Sequence, residues 1–402
     1  MSEHLQAGRN PENRENTEIS LDLGDRVLAL EPNNLRALKN NANALTALER
    51  YEEAIGVHTK IIALEPEDSI MYNNQGFALY KLGRLNEAVD AFSEAIRLDP
   101  ETMSALFNRG MALCSLRKYE EAVEDFTKAI GLGEDISEVL RPHFEIDRVY
   151  NSLGNTLYEL GRYEEAISNF KEAIGLDLEN PSYHFNLGVT LDTLGRFDEA
   201  VDAFSEMIKL DPENDKGYNS RGVTLCSLER FDEAIENFTK ARDIDPENGE
   251  TYINLGSTLY SLGKFEESEV NLTIAIDLDK KNVRACTNCG RTLNALDRFG
   301  DAVGDLTEVI KLDPKHPAAY GIRGDSYRLM GNRDSAQQDY EEALTLFDKV
   351  TSPDVNDYRL AIRAERGLEK LGISHEGLIE QKALHDGIVT QEMLSQFYIH
   401  ER

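Results

Sequence analysis

Proline returns along this chain at a fixed step. Pro32, Pro66 and Pro100 are 34 residues apart, Pro212 and Pro246 repeat the step, and Pro314 lies two steps further on. Glycine keeps the same register at Gly76, Gly110, Gly154, Gly188, Gly222, Gly256, Gly290 and Gly324. An alanine and an aromatic recur in phase as Ala88 and Phe92, Ala122 and Phe126, Ala166 and Phe170, Ala200 and Phe204, Ala234 and Phe238. Such a period dictates stacked copies of one supersecondary unit that share a continuous core, which overrides a domain count based on 402 residues. Each copy reads as an apolar helix, a break such as "LGR" or "LER", a second apolar helix, then a proline or an acidic turn.

This order of a large residue, Leu-Gly, a second large residue, then Ala, Phe and Pro resembles the tetratricopeptide repeat family. Nine repeats begin near Leu35, Ser69, Met103, Asp147, Pro181, Asp215, Gly249, Val283 and Pro317. Ala42 replaces the first glycine, Ser268 replaces an alanine, and Leu178 and Lys280 stand where proline is expected. The resemblance implies an all-α, right-handed superhelical solenoid of helix-turn-helix repeats with a C-terminal helical cap. The expected organisation is a disordered N-terminus (1–18), a capping half-repeat helix (19–34), repeats one to three (35–136), an insertion (137–146), repeats four to nine (147–350) and C-terminal capping helices (351–402). The insertion contains Pro142 and reads either as a hinge or as a lengthened connection. In the last segment Ile388, Met393, Leu394 and Phe397 share an apolar face.

Charge and cysteine usage narrow the function. With 43 basic against 74 acidic residues the formal charge is -31, so the surface as a whole repels a phosphate backbone and no nucleic-acid partner is expected. The start "MSEHLQAGRNPENRENTE" lacks the apolar stretch of a signal peptide, and no apolar run reaches bilayer length. A cytoplasmic protein without membrane insertion is expected. Cys286 and Cys289 form a CxxC, but they lack a second pair and fall on the packing side of a helix, where small buried hydrophobes are the better reading. "DPENDKG" at 211–217 departs from a calcium loop, with Gly217 one place late and Gly222 where an acidic residue is needed. No nucleophile, base or phosphate-loop motif appears, so no catalytic residue, metal or cofactor is assigned and the protein is read as non-enzymatic.

Helical periodicity separates two faces within each repeat. Positions 4, 8 and 11 of a first helix, such as Tyr72, Gly76 and Leu79, form one stripe, and Ala88, Phe92 and Ala95 form the facing stripe of the second helix. The small glycine admits the aromatic. Positions 2, 6, 9 and 13 cluster away from that stripe, on what is the concave wall of the solenoid in the resembled family. Position 6 is asparagine in six of nine repeats: Asn40, Asn74, Asn108, Asn186, Asn254 and Asn288. Asparagine is an indifferent helix former, so local propensity does not select it.

An asparagine amide matches the N–H and C=O of an extended peptide. Helices spaced ~8–10 Å apart would meet about every third residue of a peptide advancing ~3.3 Å per residue. Resemblance to family members with asparagine ladders implies that partners are held this way; the alternative is a tolerated polar residue copied with the repeat. Side-chain pockets are expected from Phe77, Met111, Val189 and Val223 at position 9, and from Tyr80, Tyr158 and Tyr260 at position 12. The same wall carries eight basic residues, Arg36, Lys39, Lys81, Arg148, Lys216, Arg284, Arg291 and Arg328, against four acidic ones. A family variant clamps a terminal carboxylate. Lys39, Asn43 and Asn74 match its pattern in one window and Asn155, Asn186 and Lys216 in another, while Ser104, Asn108, Asn151 and Ser220 depart from it. The expected function is a scaffold that binds a protein or peptide in its groove. The alternatives are self-assembly, as a homodimer through the C-terminal helices or with the tail "EMLSQFYIHER" in the groove, and a co-chaperone role with a carboxylate-ended tail.

Overall fold

The computed structural model describes residues 11–134, 146–349 and 355–373, together with 379, 383 and 384. Every regular element among the described residues is an α-helix. After α1 (Pro11–Leu30) come nine helix pairs: α2 (Leu35–Ala47) and α3 (Tyr51–Leu64), α4 (Ser69–Lys81) and α5 (Leu85–Leu98), α6 (Met103–Ser115) and α7 (Tyr119–Glu134), α8 (Ile146–Glu159) and α9 (Tyr163–Leu176), α10 (Pro181–Thr193) and α11 (Phe197–Leu210), α12 (Asp215–Ser227) and α13 (Phe231–Ile244), α14 (Gly249–Ser261) and α15 (Phe265–Leu278), α16 (Val283–Ala295) and α17 (Phe299–Leu312), α18 (Pro317–Leu329) and α19 (Arg333–Phe347). Helix α20 (Val355–Lys370) follows.

The chain divides into two compact bodies, Met1–Leu210 with the first five repeats and Asp211–Arg402 with the last four. Within each body a first helix packs on its own second helix and on the second helix before it, and successive first helices touch, as α4 and α6 do in one body and α14 and α16 in the other. Each body is thus a solenoid of stacked helix pairs.

Local chemistry sets the ends of these helices. Side chains of Asn34, Asp68, Asn180, Asn214, Asn248 and Asn282 accept backbone N–H bonds at the starts of first helices, which satisfies donors that a helix leaves orphaned. The break between paired helices needs a left-handed residue. Gly83, Gly161, Gly195, Gly263 and Gly331 supply it at φ of 73° to 80°, and Glu49, Arg117, Glu229 and Asp297 hold φ of 57° to 60° where glycine is missing. The arginine that follows often pairs with an acid in the next first turn, as Arg84 does with Glu87 at 2.6 Å and Arg196 with Glu199 at 2.7 Å. Much of the net acidity therefore serves helix starts.

The glycine and the aromatic are two halves of one contact. A methyl group on Gly76 would lie 2.7 Å from the Phe92 ring, and the same clash meets Gly110 at Phe126, Gly154 at Phe170, Gly188 at Phe204 and Gly222 at Phe238. Those five rings are fully buried. Leu272 and Leu306 fill the place opposite Gly256 and Gly290, and Tyr340 fills it opposite Gly324. In the first repeat Ala42 and His58 occupy these two registers. Burial pushes the His58 imidazole down to about 4.

The ends add detail. The helix expected from Ile19 begins at Pro11. A proline at the first helical position sacrifices no needed donor, and Arg14 pairs with Glu18 one turn apart at 3.5 Å. Residues 1–10 lie outside the described residues, as does the insertion over 135–145. Helices α7 and α8 on its two sides pack together within the N-terminal body. Helix α20 closes against α18 and α19, where Tyr358, Ala361, Ile362 and Leu368 are buried with Tyr340 and Phe347. Gly367 admits the Tyr340 ring as the repeat glycines admit phenylalanine. Ile388, Met393, Leu394 and Phe397, and the tail "EMLSQFYIHER", lie outside the described residues.

Candidate functional site

Four of the six position-6 asparagines use their amides between neighbouring first helices. Asn108 Nδ2 donates to Asn73 Oδ1 at 3.0 Å, Asn186 Nδ2 to Asn151 Oδ1 at 2.8 Å and Asn254 Nδ2 to Asn219 Oδ1 at 3.2 Å. In each case the acceptor is position 5 of the preceding repeat. Asn288 Nδ2 donates instead to Ser257 Oγ at 3.0 Å. In these four repeats the asparagine ties one first helix to the one before it, and each such bond contributes about 0.5–1.5 kcal/mol. Sequence reasoning missed the position-5 partners. Their signal is a spacing of 35 residues, one more than the repeat, at 73 and 108, 151 and 186, 219 and 254.

These links leave part of each amide for other contacts. The Oδ1 atoms of Asn108 and Asn186 accept no hydrogen bond among the described residues, whereas Asn254 Oδ1 accepts from Arg284 Nη2 at 3.1 Å and Asn288 Oδ1 from Arg291 Nη2 at 3.4 Å. Asn40 is exposed and Asn74 half-buried.

The other expected site residues fall into three groups. Lys39 is held by Glu65 and Asp68, each 2.8 Å from its Nζ, and the Asp68 hydrogen bond leads in raising its pKa. An incoming carboxylate must compete with both acids. Asn43, Asn155 and Lys216 are exposed. Phe77 is buried, edge-on to Tyr51 at 6.4 Å, with half-buried Tyr80 in the same cluster, while Met111 and Val189 are half-buried against the larger core of the N-terminal body. Phe77 thus packs between the first two repeats instead of opening a pocket.

A true opening occurs in the C-terminal body. A cavity of about 210 Å³ between the sixth and seventh repeats is lined by Val223, Cys226, Phe238, Asn254, Ser257 and Thr258. Val223 is 41% exposed there. Thr258 Oγ1 donates to Asn254 O at 2.8 Å and lies 3.3 Å from Cys226 Sγ, so the polar atoms of the far wall are engaged and the near wall is apolar. A larger cavity of about 450 Å³ lies among α3, α4 and α5, with Glu87, Asp90 and Glu94 on its rim.

Other chemistry is sparse. Cys286 and Cys289 are buried, and desolvation pushes both thiols up, Cys289 to about 12. Among the described residues no group of three or more His, Cys, Asp or Glu is placed to hold a metal, and no helix is long and apolar enough to cross a membrane.

Two family models described as tetratricopeptide repeat match this sequence, one over 73–135 and 151–215, the other over 216–248, 249–282 and 317–349. The chain belongs to the tetratricopeptide repeat family. Members of that family mediate protein–protein interactions, and their fold is typically a non-catalytic scaffold. A model of a bacterial transcriptional activator domain also matches residues 15–101, overlapping the repeat match from residue 73. No curated protein matches the chain. Among solved structures, a tetratricopeptide repeat protein from Parabacteroides merdae shares 15% identity over 65% of this chain and 98% of its own, with a TM-score of 0.51. YrrB, a tetratricopeptide repeat protein described as having an unusual peptide-binding site, shares 27% identity over 48% of this chain and 93% of its own, with a TM-score of 0.41. Yeast Tom70 shares 18% identity over 87% of this chain and 99% of its own, also with a TM-score of 0.41. The Parabacteroides protein supports the fold of this tetratricopeptide repeat chain.

Proposed function

We propose that this chain is a non-enzymatic scaffold that holds an extended segment of a partner protein along the face formed by its first helices. The observation that carries the reading is the cavity beside Asn254, where exposed Val223 and the Phe238 ring lie next to a ladder amide. An aliphatic side chain of the partner enters that cavity, and burying it supplies affinity at ~25 cal/mol per Å². Within each body the peptide backbone runs past that body's asparagines. In the N-terminal body Asn108 and Asn186 offer Oδ1 acceptors to N–H groups, with exposed Asn40, Asn43 and Asn155 and half-buried Asn74, Met111 and Val189 on the first helices beside them. In the C-terminal body exposed Lys216 adds to the polar edge. Asn108, Asn186, Asn254 and Asn288 each commit one amide N–H to a neighbouring helix, and Asn254 and Asn288 also accept from arginines, so the acceptor role falls to Asn108 and Asn186.

Quantitative capture of bound proteins tests this, comparing the wild type with Val223→Asp and with the combined Asn74→Ala, Asn108→Ala and Asn186→Ala variant. Each change should deplete captured partners. Equal recovery by variants with wild-type helicity would refute the reading.

A further inference from the structure

The second helix of the seventh repeat departs from the others on its exposed side. Counted from the first residue of each second helix, positions six and ten are Glu236 and Lys240 in α13 and Gly304 and Glu308 in α17, and position ten is charged in all eight other repeats. In α15 the two are Val270 and Ile274. Val270 is 59% exposed, Ile274 36% and Leu278, one turn further on, 44%. Three apolar side chains at steps of four share one helix face, and water does not select them there.

The two ends of this stripe carry charge that the chain leaves unpaired. Glu267 stands three residues before Val270, and Lys281 three after Leu278. In the neighbouring repeats the acid at the position of Glu267 is held by the residue before its helix, Glu233 by Arg230 at 2.7 Å and Asp301 by Arg298 at 2.8 Å. Among the described residues neither Glu267 nor Lys281 has an ion pair, and both are exposed. Lys281 and Lys280 occupy the turn where Pro246 and Glu247 follow α13. From Glu267 to Lys281 the stripe advances by 3, 4, 4 and 3 residues, the same in either direction, with Ile274 at its middle. A twofold axis at Ile274 therefore sets Val270 on Leu278 of a second copy, Ile274 on its own counterpart, and Glu267 against Lys281 at both ends.

We propose that α15 pairs with α15 of a second copy of this chain, antiparallel about Ile274, to form a twofold dimer. Complementarity fixes the occupant: the stripe needs an apolar centre between a basic end facing Glu267 and an acidic end facing Lys281, and a second copy supplies all three. One helix against another covers less than the ~1,200–2,000 Å² of a standard interface, and two chains of net charge -31 repel each other. The dimer is accordingly weak, with a dissociation constant in the micromolar range or above. Because α15 is a second helix, the contact leaves the first-helix face free. A dimer carries two such faces, and a partner with two binding segments gains by avidity.

Sedimentation velocity of the full chain tests this at ~0.15 M salt, where repulsion is screened beyond ~8 Å. From low micromolar to several hundred micromolar protein, the wild type should pass from monomer to dimer. Ile274→Glu should weaken association by about tenfold or more, the loss of a buried aliphatic side chain. Glu267→Lys and Lys281→Glu should each weaken it by roughly threefold or more, because each sets like charges face to face at both ends. An equimolar mixture of those two variants should recover the wild-type dimer, since opposite charges then meet again. Circular dichroism checks that each variant keeps wild-type helicity. A chain that stays monomeric overturns the proposal, as does a dimer indifferent to Ile274→Glu or charge variants that fail to recover on mixing. A dimer lost instead with Leu23→Glu would place the contact on the exposed side of α1, which shows Ile19, Leu23 and Val27, and would overturn it too.

Discussion

Asn186 Nδ2 donates to Asn151 Oδ1 at 2.8 Å, from the first helix of the fifth repeat to that of the fourth. The bond makes the asparagine a part of the stack before any ligand arrives. A double-mutant cycle over Asn151→Ala and Asn186→Ala, read by urea unfolding, should show a coupling of about 0.5–1.5 kcal/mol. Strict additivity would mean that the two side chains do not meet in solution.

Glycines of two kinds should answer alanine oppositely. Gly188→Ala drives a methyl into the Phe204 ring at 2.7 Å and should destabilise by about 1–3 kcal/mol. Gly56 lies inside α3 with open space around it, and Gly56→Ala should stabilise by about 0.5–1 kcal/mol through helix propensity. Thermal denaturation of the two variants checks both signs.

His58 should give the N-terminal body an acid sensitivity. Its folded pKa, about 4, lies below the unfolded 6.5, so the unfolded chain binds the extra proton between those values. Stability is intact above pH 6.5, falls as pH drops towards 4, and levels off below, a loss of about 3 kcal/mol. In a His58→Leu variant this portion of the pH slope should vanish. His58→Phe alone should overpack against Ala42, and adding Ala42→Gly should recover the loss, since the pair then matches Gly76 and Phe92.

The four cysteines should resist thiol reagents in the folded chain at neutral pH, because burial raises the pKa of Cys114, Cys226, Cys286 and Cys289 alike. All should react once the chain is unfolded in denaturant. Rapid labelling of Cys286 and Cys289 in the native protein would show that the α16 packing opens.

What the sequence revealed, and what it hid, follows from the range of each interaction. The pairing of Gly76 with Phe92 repeats at one spacing along the chain, so its signal accumulates and the helix pairs are legible without coordinates. The asparagine was visible at position 6 but its acceptor was not, because Asn73 and Asn108 sit at different positions of successive repeats and are related only once the helices stand side by side. His58 is hidden for a related reason: in the sequence Ala42 is a single replacement, and only its packing register shows it to be one half of a changed pair. The boundary between the bodies at Leu210 and Asp211 falls in "KLDPEND", a turn of the same composition as the others, and carries no mark in the sequence.

The asparagine-to-asparagine links also impose a beat of two on the N-terminal body. They join the second repeat to the third and the fourth to the fifth, whereas Phe107 and Phe185 hold the acceptor's position in the third and fifth. In the C-terminal body the sixth is joined to the seventh in the same way, and Asn288 carries the link on to the eighth through Ser257. The quantum of the N-terminal stack is a couplet. A shortened chain that ends after the third repeat should keep a sound edge, and one that ends after the second should fray, because the cut leaves Asn73 without its partner.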